Sequence, residues 1–216
     1  MLIAPGSKLI MIGASTTECG RSFPAGEGLF GALGTGYPAL VDAMIACSYP
    51  GHNIRIINKG ISGNTTRDLK ARWQTDALDL QPDWVSVLIG INDVWRQFDS
   101  PKMPEAFVLP DEYRENMREM VAATRDKVLG MVLMTPFIVE NNTRDAMRAR
   151  IDEYNEIVHN VADEFDCLFA DSQTEFVRLL QYQTTQSLAS DREHPGMPGH
   201  LALARAFLNA VEFKWN

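Results

Sequence analysis

The sequence predicts an α/β fold, a three-layer sandwich in which helices cover both faces of a parallel sheet. Two observations predict it. Five short runs are apolar at nearly every position, as expected of strands that are buried on both faces. Longer amphipathic stretches lie between these runs, and this alternation of strands and helices is typical of parallel sheets.

The elements follow one another along the chain. We expect strands at Lys8–Gly13, Ile54–Asn58, Trp84–Gly90, Gly130–Thr135 and Cys167–Asp171. We expect helices at about Tyr37–Ser48, Arg67–Leu78, Asp111–Val128, Arg144–Glu164 and Pro198–Phe213. Pro198 suits the first turn of the last helix, where a missing N–H is tolerated.

Length and charge narrow the class of protein. We expect a single domain over residues 1–216, because no repeat, low-complexity tract or charge block divides the chain. The formal net charge of −8 argues against nucleic acid and against anionic membrane surfaces as partners, since both attract basic proteins. Neutral or weakly charged small substrates remain open.

The compartment is predicted from apolar runs and cysteines. No run approaches the roughly 20 apolar residues that a bilayer requires. The stretch Leu9–Ile12 ends at Gly13, too early for a signal peptide. The chain has three scattered cysteines without metal-site spacing, Cys19, Cys47 and Cys167. We interpret them as free thiols of a cytoplasmic protein, neither disulfide-bonded nor bound to zinc.

Small polar residues concentrate where the predicted strands end. In open parallel sheets, ligands bind outside the carboxyl ends of the strands. The residues found there are Ser15–Gly20, Gly60–Thr65, Asn92–Trp95 and Pro136–Phe137, and the segment Asp191–His194 precedes the last helix and can reach the same edge. This edge is therefore the predicted site.

Ser15 is the candidate nucleophile. It follows the first strand in Gly13-Ala14-Ser15, and Gly13 gives the backbone the freedom to make a tight turn. A serine after a strand more often caps the next helix. The segment also lacks the second glycine of the G-x-S-x-G elbow.

His194 is the candidate base, with Asp191 as its orienting acid. A serine hydroxyl is a weak nucleophile until a base takes its proton, and an acid three residues before the imidazole can hold its tautomer. His200 lies in the last predicted helix and suits packing or surface better than catalysis. A metal site of Asp191, His194 and His200 is conceivable, but we predict no metal, because these three ligands lack a companion cysteine or carboxylate cluster.

Two further strand ends offer hydrogen-bond donors for an oxyanion. Gly63 lets a backbone N–H approach a ligand closely, and Asn92 can supply a side-chain amide. Either one alone is more often part of a turn. Their occurrence with Ser15 and His194 at one edge of the sheet favours an acyl-transfer site over coincidence.

This ordered set resembles the SGNH (GDSL-type) serine hydrolase superfamily, whose four blocks contribute Ser, Gly, Asn and His. The blocks fall on Ser15, Gly63, Asn92 and His194, with Asp191 three residues before the histidine. The resemblance implies a flavodoxin-like sandwich with a five-stranded sheet, esterase activity and no cofactor. It implies that Ser15, Gly63 and Asn92 form the oxyanion hole.

A narrower likeness covers most of the chain. The segments that carry it are Gly26–Tyr37, Asn58–Trp73, Pro82–Gln97, Leu133–Phe137 and Gly199–Leu208, and they look like intracellular bacterial acetylxylan esterases. The likeness implies removal of acetyl groups from short xylo-oligosaccharides and assembly into a homo-oligomer. Trp95 and Asn64 are then candidate substrate contacts, although core packing explains Trp95 equally well.

Two residues depart from the family pattern, Ala14 and Ser190, and the resemblance places a bulky aromatic residue at the second position. The first block of the family reads Gly-Asp-Ser, and Ala14 stands at the aspartate position here. The resemblance implies that this alanine weakens the turn and lowers activity. Two alternatives stay open: a flavin- or nucleotide-binding protein whose Ser/Thr-rich loop cradles phosphate, and a carbohydrate-binding protein that has lost catalysis.

Overall fold

The predicted sheet is present in a computed structural model, which describes residues 1–214; residues 215 and 216 of the predicted domain lie outside this range. Its strands are β1 (Lys8–Gly13), β2 (Arg55–Gly60), β3 (Trp84–Leu88), β4 (Gly130–Met134) and β5 (Leu168–Ala170). Within the described part, these five strands pair in parallel in the order β2-β1-β3-β4-β5. The predicted α/β class and the five-stranded parallel sheet are therefore confirmed.

Helices cover both faces of this sheet. They are α1 (Ser15–Glu18), α2 (Tyr37–Ser48), α3 (Thr66–Ala71), α4 (Trp73–Asp76), α5 (Ile91–Asp99), α6 (Pro110–Thr124), α7 (Ala146–Glu164), α8 (Ser172–Leu179), α9 (Thr185–Leu188) and α10 (Met197–Ala210). Short 3-10 turns occur at Leu78–Leu80, Pro104–Ala106 and Arg125–Lys127. Of the helices between residues 1 and 214, none combines the length and the apolar character that a membrane crossing requires.

Each face of the sheet has its own apolar layer. In β1, Ile10 and Ile12 pack with side chains of α3 to α7, whereas Leu9 and Met11 pack with side chains of α2, α8 and α10. All four are completely buried. Burying one such side chain is worth about 1.5–3 kcal/mol, so both faces of the strand stabilise the fold. This two-sided burial is the reason that the strands read as continuous apolar runs.

Two helix predictions were wrong in ways that concern the site. The predicted helix Arg67–Leu78 is interrupted at Arg72, which separates α3 from α4 with φ −106° and ψ 6°. No helix was predicted at the segment Asn92–Trp95, but it belongs to α5, which follows Gly90 directly. A helix there places residues four apart on one face, so the side chains near Asn92 differ from those that a loop would present.

Candidate active site

Ser15, His194 and Asp191 form a chain of hydrogen bonds at the carboxyl edge of the sheet. Ser15 begins α1 directly after β1, and its Oγ lies 2.9 Å from His194 Nε2. His194 Nδ1 lies 2.7 Å from Asp191 Oδ2. The structure therefore brings together the three residues that the sequence predicted as a group, although 179 positions separate Ser15 from His194.

Asp191 accepts hydrogen bonds with both carboxylate oxygens. While Oδ2 faces the imidazole, Oδ1 accepts the backbone N–H groups of His194 at 2.8 Å and Glu193 at 3.0 Å. Partial burial acts to raise the pKa of Asp191, but these donors outweigh it and hold the pKa below its usual value. An ionised carboxylate keeps the imidazole proton on Nδ1, which leaves Nε2 free to accept the Ser15 hydroxyl proton.

The segment between α9 and α10, which carries this acid and base, is held by backbone hydrogen bonds. The Arg192 carbonyl accepts the Val139 N–H at 2.8 Å, and the Gly196 N–H donates to the Leu188 carbonyl at 2.8 Å. Arg192 has φ +72°, a left-handed conformation that a non-glycine residue keeps only where its surroundings hold it. The His194 imidazole therefore projects from a loop that backbone hydrogen bonds hold in place.

A cleft of about 350 Å³ opens beside the Ser15 hydroxyl. Its walls are formed by Ser15, Ser62, Gly63, Asn92, Trp95, Arg96, Glu193 and His194. Gly63 has φ +80°, and a Cβ added to it would meet nothing within 4 Å, so this glycine borders open space. The residues predicted to form the oxyanion hole therefore line one cleft, and their role as donors stays a prediction.

Asn92 is oriented by one of its two amide hydrogens. Its Nδ2 donates to the Asn64 carbonyl at 3.0 Å, and the residue is only 5% exposed. A carboxamide nitrogen carries two hydrogens. The second hydrogen is therefore available to an acceptor in the cleft.

The two candidate substrate contacts differ in their placement. Trp95 lines the cleft. Asn64 is absent from the cleft wall formed by the described residues; its Oδ1 accepts a hydrogen bond from Arg72 Nε at 2.7 Å. Asn64 Oδ1 is thus engaged within the protein, and a contact of this residue with substrate stays a prediction.

Gly13 is required for close packing and not for backbone freedom, which corrects the sequence argument. Its φ lies outside the left-handed region. A Cβ at Gly13 would lie far inside van der Waals contact with the Leu88 carbonyl oxygen and with Thr17 Oγ1. Any side chain there would push the turn that carries Ser15 away from the sheet edge.

Sequence reasoning missed two charged residues of the cleft, Glu193 and Arg96. Glu193 is 4% exposed, and burial raises its pKa to about 7. Arg96 forms an ion pair with Asp99 at 2.5 Å. Arg96 could have been found from its position four residues after Asn92, because residues four apart share one face of a helix, but this requires the segment to be recognised as a helix. The cleft thus offers a carboxyl, a guanidinium and the Trp95 indole to a ligand.

His200 does not join a metal site with Asp191 and His194. Its Nδ1 accepts the Tyr37 N–H at 3.2 Å, and its Nε2 lies 3.5 Å from Cys19 Sγ. Burial lowers the pKa of His200 to about 4, so the ring is neutral at pH 7. The lone pair that a metal would need is already used. Between residues 1 and 214, no cluster of three His, Cys, Asp or Glu side chains has a suitable geometry either.

The threonine side chains of α1, which follows β1, do not line a phosphate cradle. Thr16 and Thr17 are 6% and 0% exposed. The Thr17 hydroxyl lies 3.2 Å from Tyr37 Oη. Because these hydroxyls face the interior, they are unavailable to the phosphate ligand that the flavin- or nucleotide-binding alternative requires.

Ala14 lies beside a small apolar cavity of about 10 Å³. Thr16 lines the same cavity, and in the part of the chain that the structure describes its Oγ1 has no hydrogen-bond partner. An aspartate at position 14 would bring an acceptor to this cavity. Ala14 therefore leaves a buried hydroxyl without one.

Comparison with known proteins agrees with this geometry. The model of the GDSL-like Lipase/Acylhydrolase family matches residues 11–202. An acetylxylan esterase from Geobacillus stearothermophilus is 51% identical over 215 residues, which cover 100% of this chain and 98% of that protein.

Solved structures give the same result. Axe2, an acetylxylan esterase from Geobacillus stearothermophilus, superposes with a TM-score of 0.98 at 51% identity, covering 100% of this chain and 98% of Axe2. LAE5, an alpha/beta hydrolase enzyme from the metagenome of Lake Arreo, Spain, has a TM-score of 0.97 at 49% identity, with 98% of each chain covered. Catalytic mutants of Axe2, in which a serine, an aspartate or a histidine is replaced by alanine, match equally well. This chain belongs to the GDSL-like lipase/acylhydrolase family.

Proposed function

We propose that this protein is a serine esterase that removes acetyl groups from short acetylated xylo-oligosaccharides. The observation that carries the proposal is the chain of hydrogen bonds from Asp191 through His194 to Ser15, beside a cleft with candidate oxyanion donors. Family membership supports acyl hydrolysis, and the similarity to the Geobacillus acetylxylan esterase supports an acetylated carbohydrate as substrate.

The first half of the proposed reaction transfers the acetyl group to the enzyme. Ser15 Oγ attacks the acetyl carbonyl carbon while His194 Nε2 takes the hydroxyl proton, and Asp191 stabilises the imidazolium. The negative charge on the carbonyl oxygen is received by the Ser15 and Gly63 N–H groups and by the second amide hydrogen of Asn92. When the intermediate collapses, the bond from the acetyl carbon to the sugar oxygen breaks, and His194 protonates that oxygen.

The second half releases acetate. A water molecule gives a proton to His194 Nε2 and attacks the acetyl carbon bound to Ser15. The same donors stabilise the second oxyanion. The bond to Ser15 Oγ then breaks, the imidazolium returns its proton to that oxygen, and the free hydroxyl is restored.

The cleft suits a neutral polyhydroxylated leaving group. The Trp95 indole provides an apolar face for a sugar ring, and the charged ends of Arg96 and Glu193 provide hydrogen-bond partners for hydroxyls. Arg96 is already paired with Asp99, and burial raises the pKa of Glu193 to about 7, so neither side chain gives the cleft a strong preference for a charged ligand. A neutral acetylated sugar is therefore favoured over an anionic or cationic ester.

Two serines in the cleft provide the test and its control. Ser15→Ala should abolish turnover of acetylated xylo-oligosaccharides and of p-nitrophenyl acetate, with an unchanged unfolding midpoint. Ser62→Ala removes a hydroxyl from the same cleft and should retain turnover, because its backbone N–H, which donates to Glu18 at 2.6 Å, is kept. Acetate should be released faster than butyrate or octanoate. Unchanged turnover in Ser15→Ala would overturn the proposal.

We propose that the protein forms a homo-oligomer. The segment before α2 exposes three large apolar side chains, with Phe30 fully exposed, Leu29 79% exposed and Phe23 59% exposed. Neighbouring apolar side chains at a surface are typical of protein interfaces. Light scattering should give a mass above that of one chain, and Phe30→Ser should lower it. A monomeric wild-type protein would refute the assembly.

We propose a cytoplasmic location on the basis of the thiols. All three cysteines are unpaired, and Cys47 is exposed. Free exposed thiols are characteristic of reducing compartments. Fractionation of the source cells should recover the protein in the cytoplasmic fraction, and recovery outside the cell would contradict the assignment.

A further inference from the structure

Arg72, between α3 and α4, is a largely buried cation that no step of the proposed mechanism uses. Its side chain is 14% exposed. The guanidinium donates to Asn64 Oδ1 at 2.7 Å, to the Lys59 carbonyl at 2.9 Å, to the Gly13 carbonyl at 3.0 Å and to Asp76 Oδ2 at 2.8 Å. Only the last acceptor is an anion, so neutralising a charge does not account for the other contacts.

One of these contacts reaches the turn that carries the nucleophile. The Gly13 carbonyl belongs to the last residue of β1, two positions before Ser15. It also accepts the N–H of Ile61, in the loop between β2 and α3, at 3.0 Å. Arg72 therefore binds an oxygen that already joins the nucleophile turn to this loop.

A second contact reaches the oxyanion donors. Arg72 Nε fixes the side chain of Asn64, the residue after Gly63, and the Asn64 carbonyl accepts the Asn92 amide at 3.0 Å. A shift of Asn64 would therefore move the carbonyl that orients Asn92 and the neighbouring Gly63 backbone. Through Gly13 and Asn64, a single guanidinium is linked to all three candidate donors.

We infer that Arg72 is a positioning residue that sets the separation between the Ser15, Gly63 and Asn92 donors; this inference rests on the proposed esterase function. A guanidinium presents five N–H donors in a rigid planar fork, whereas a lysine ammonium is a compact charge with three donors. Lysine at this position can keep the charge and the Asp76 ion pair. It cannot reproduce the set of directions in which Arg72 donates.

The role predicts which kinetic constant changes. Hydrogen bonds to an oxyanion are stronger in the transition state than in the bound substrate, so their misplacement lowers kcat and leaves KM nearly unchanged. A residue that only stabilises the fold would lower the unfolding midpoint without this selective loss. The ratio of the two constants therefore separates positioning from stability.

The experiment compares Arg72→Lys with Arg67→Lys on p-nitrophenyl acetate. Arg67, on α3, likewise combines an ion pair, to Glu112, with hydrogen bonds to backbone carbonyls, but it lies on the exposed side. Losing one oxyanion donor costs about a hundred- to a thousand-fold, so misplacing the donors in Arg72→Lys should lower kcat about ten- to a hundredfold. Arg67→Lys should keep both constants within about twofold of wild type.

Two more variants keep the inference testable if Arg72→Lys does not fold. Asn64→Ala breaks the link to Arg72 and should also lower kcat, and the double variant should lose no more than the larger single loss. Asp76→Asn keeps an acceptor oxygen but removes the charge, and it should lower the unfolding midpoint while kcat is retained. Loss of kcat in Asp76→Asn equal to that in Arg72→Lys would assign the effect to the ion pair and overturn the inference.

The outcomes separate this inference from the proposed function. Turnover that depends on Ser15, together with wild-type kcat in Arg72→Lys and Asn64→Ala, overturns the positioning role alone. A wild-type chain without Ser15-dependent turnover overturns the esterase proposal and the positioning role with it.

Discussion

Replacing Thr16 with valine should make this protein more stable, although the hydroxyl that is removed belongs to the residue that follows the nucleophile. Thr16 is 6% exposed, and its Oγ1 has no partner among residues 1–214. A buried hydroxyl that lacks a hydrogen bond costs about 1–3 kcal/mol. Valine has nearly the same shape and no polar atom, so we expect Thr16→Val to raise the free energy of unfolding by about 1 kcal/mol.

The neighbouring threonine provides the control. Thr17 is also buried, but its hydroxyl is hydrogen-bonded to that of Tyr37. Thr17→Val leaves the Tyr37 hydroxyl without this partner and should lower the free energy of unfolding by about 1–3 kcal/mol. Urea unfolding of both variants measures the difference. Equal losses in the two variants would refute the reasoning, because Thr16 would then have a partner such as an ordered water.

The same measurement tests whether Ala14 deprives the Thr16 hydroxyl of a hydrogen-bond acceptor. In an Ala14→Asp background the new carboxylate can accept the Thr16 hydroxyl, and a hydrogen bond to a charged group is worth about 1.5–3 kcal/mol. Thr16→Val should then be destabilising, the opposite of its effect in the unaltered chain. We also expect Ala14→Asp to raise kcat on p-nitrophenyl acetate. A Thr16→Val effect that is independent of residue 14 would show that the two side chains do not interact.

Three other changes have definite expected results. Asp191→Asn should lower kcat by about four orders of magnitude without unfolding the protein, because Nδ1 loses its anionic acceptor; steady-state kinetics beside circular dichroism checks this, and a small loss would remove Asp191 from the triad. Gly63→Ala should cost about 1 kcal/mol in urea unfolding and lower kcat, because alanine is strained at φ +80°; unchanged values would mean that the loop adapts. The pKa of His200 is lowered to about 4 in the folded protein, so between pH 6.5 and 4 only the unfolded chain takes up this proton, and stability falls as the pH falls. The free energy of unfolding of wild type should therefore fall by about 2 kcal/mol more than that of His200→Asn between pH 7 and 4.5. A difference between the two proteins in urea unfolding that is the same at both pH values would exclude the effect.

Most of the site could be predicted from the sequence, because sheet topology brings together residues that lie far apart along the chain. The carboxyl ends of parallel strands meet at one edge, so polar residues after separate apolar runs can be assigned to one site. The rule brought Ser15, Gly63 and Asn92 together without any contact being known. His194 follows no strand, and its place rested on the acid three residues earlier.

The supporting contacts could not be predicted, because they depend on where long side chains end. The apolar spacing continues through Arg72, so nothing in the pattern marks the break between α3 and α4. Likewise, Asn64 is a polar residue of the kind that binds ligands. Only the position of the Arg72 guanidinium shows that its Oδ1 already accepts a hydrogen bond within the protein. No role was predicted for Glu193 from the sequence, although it is buried and lines the cleft.

The separation of Ser15 from His194 along the chain also bears on how activity appears during folding. The nucleophile lies on the central part of the sheet, whereas the imidazole arrives with the segment that precedes α10, near the end of the chain. A polypeptide still under synthesis, with its first strands already paired, would therefore have no base for Ser15. Recovery of esterase activity during refolding reports the docking of the segment between α9 and α10, and it should lag behind or coincide with the recovery of helical signal but never precede it.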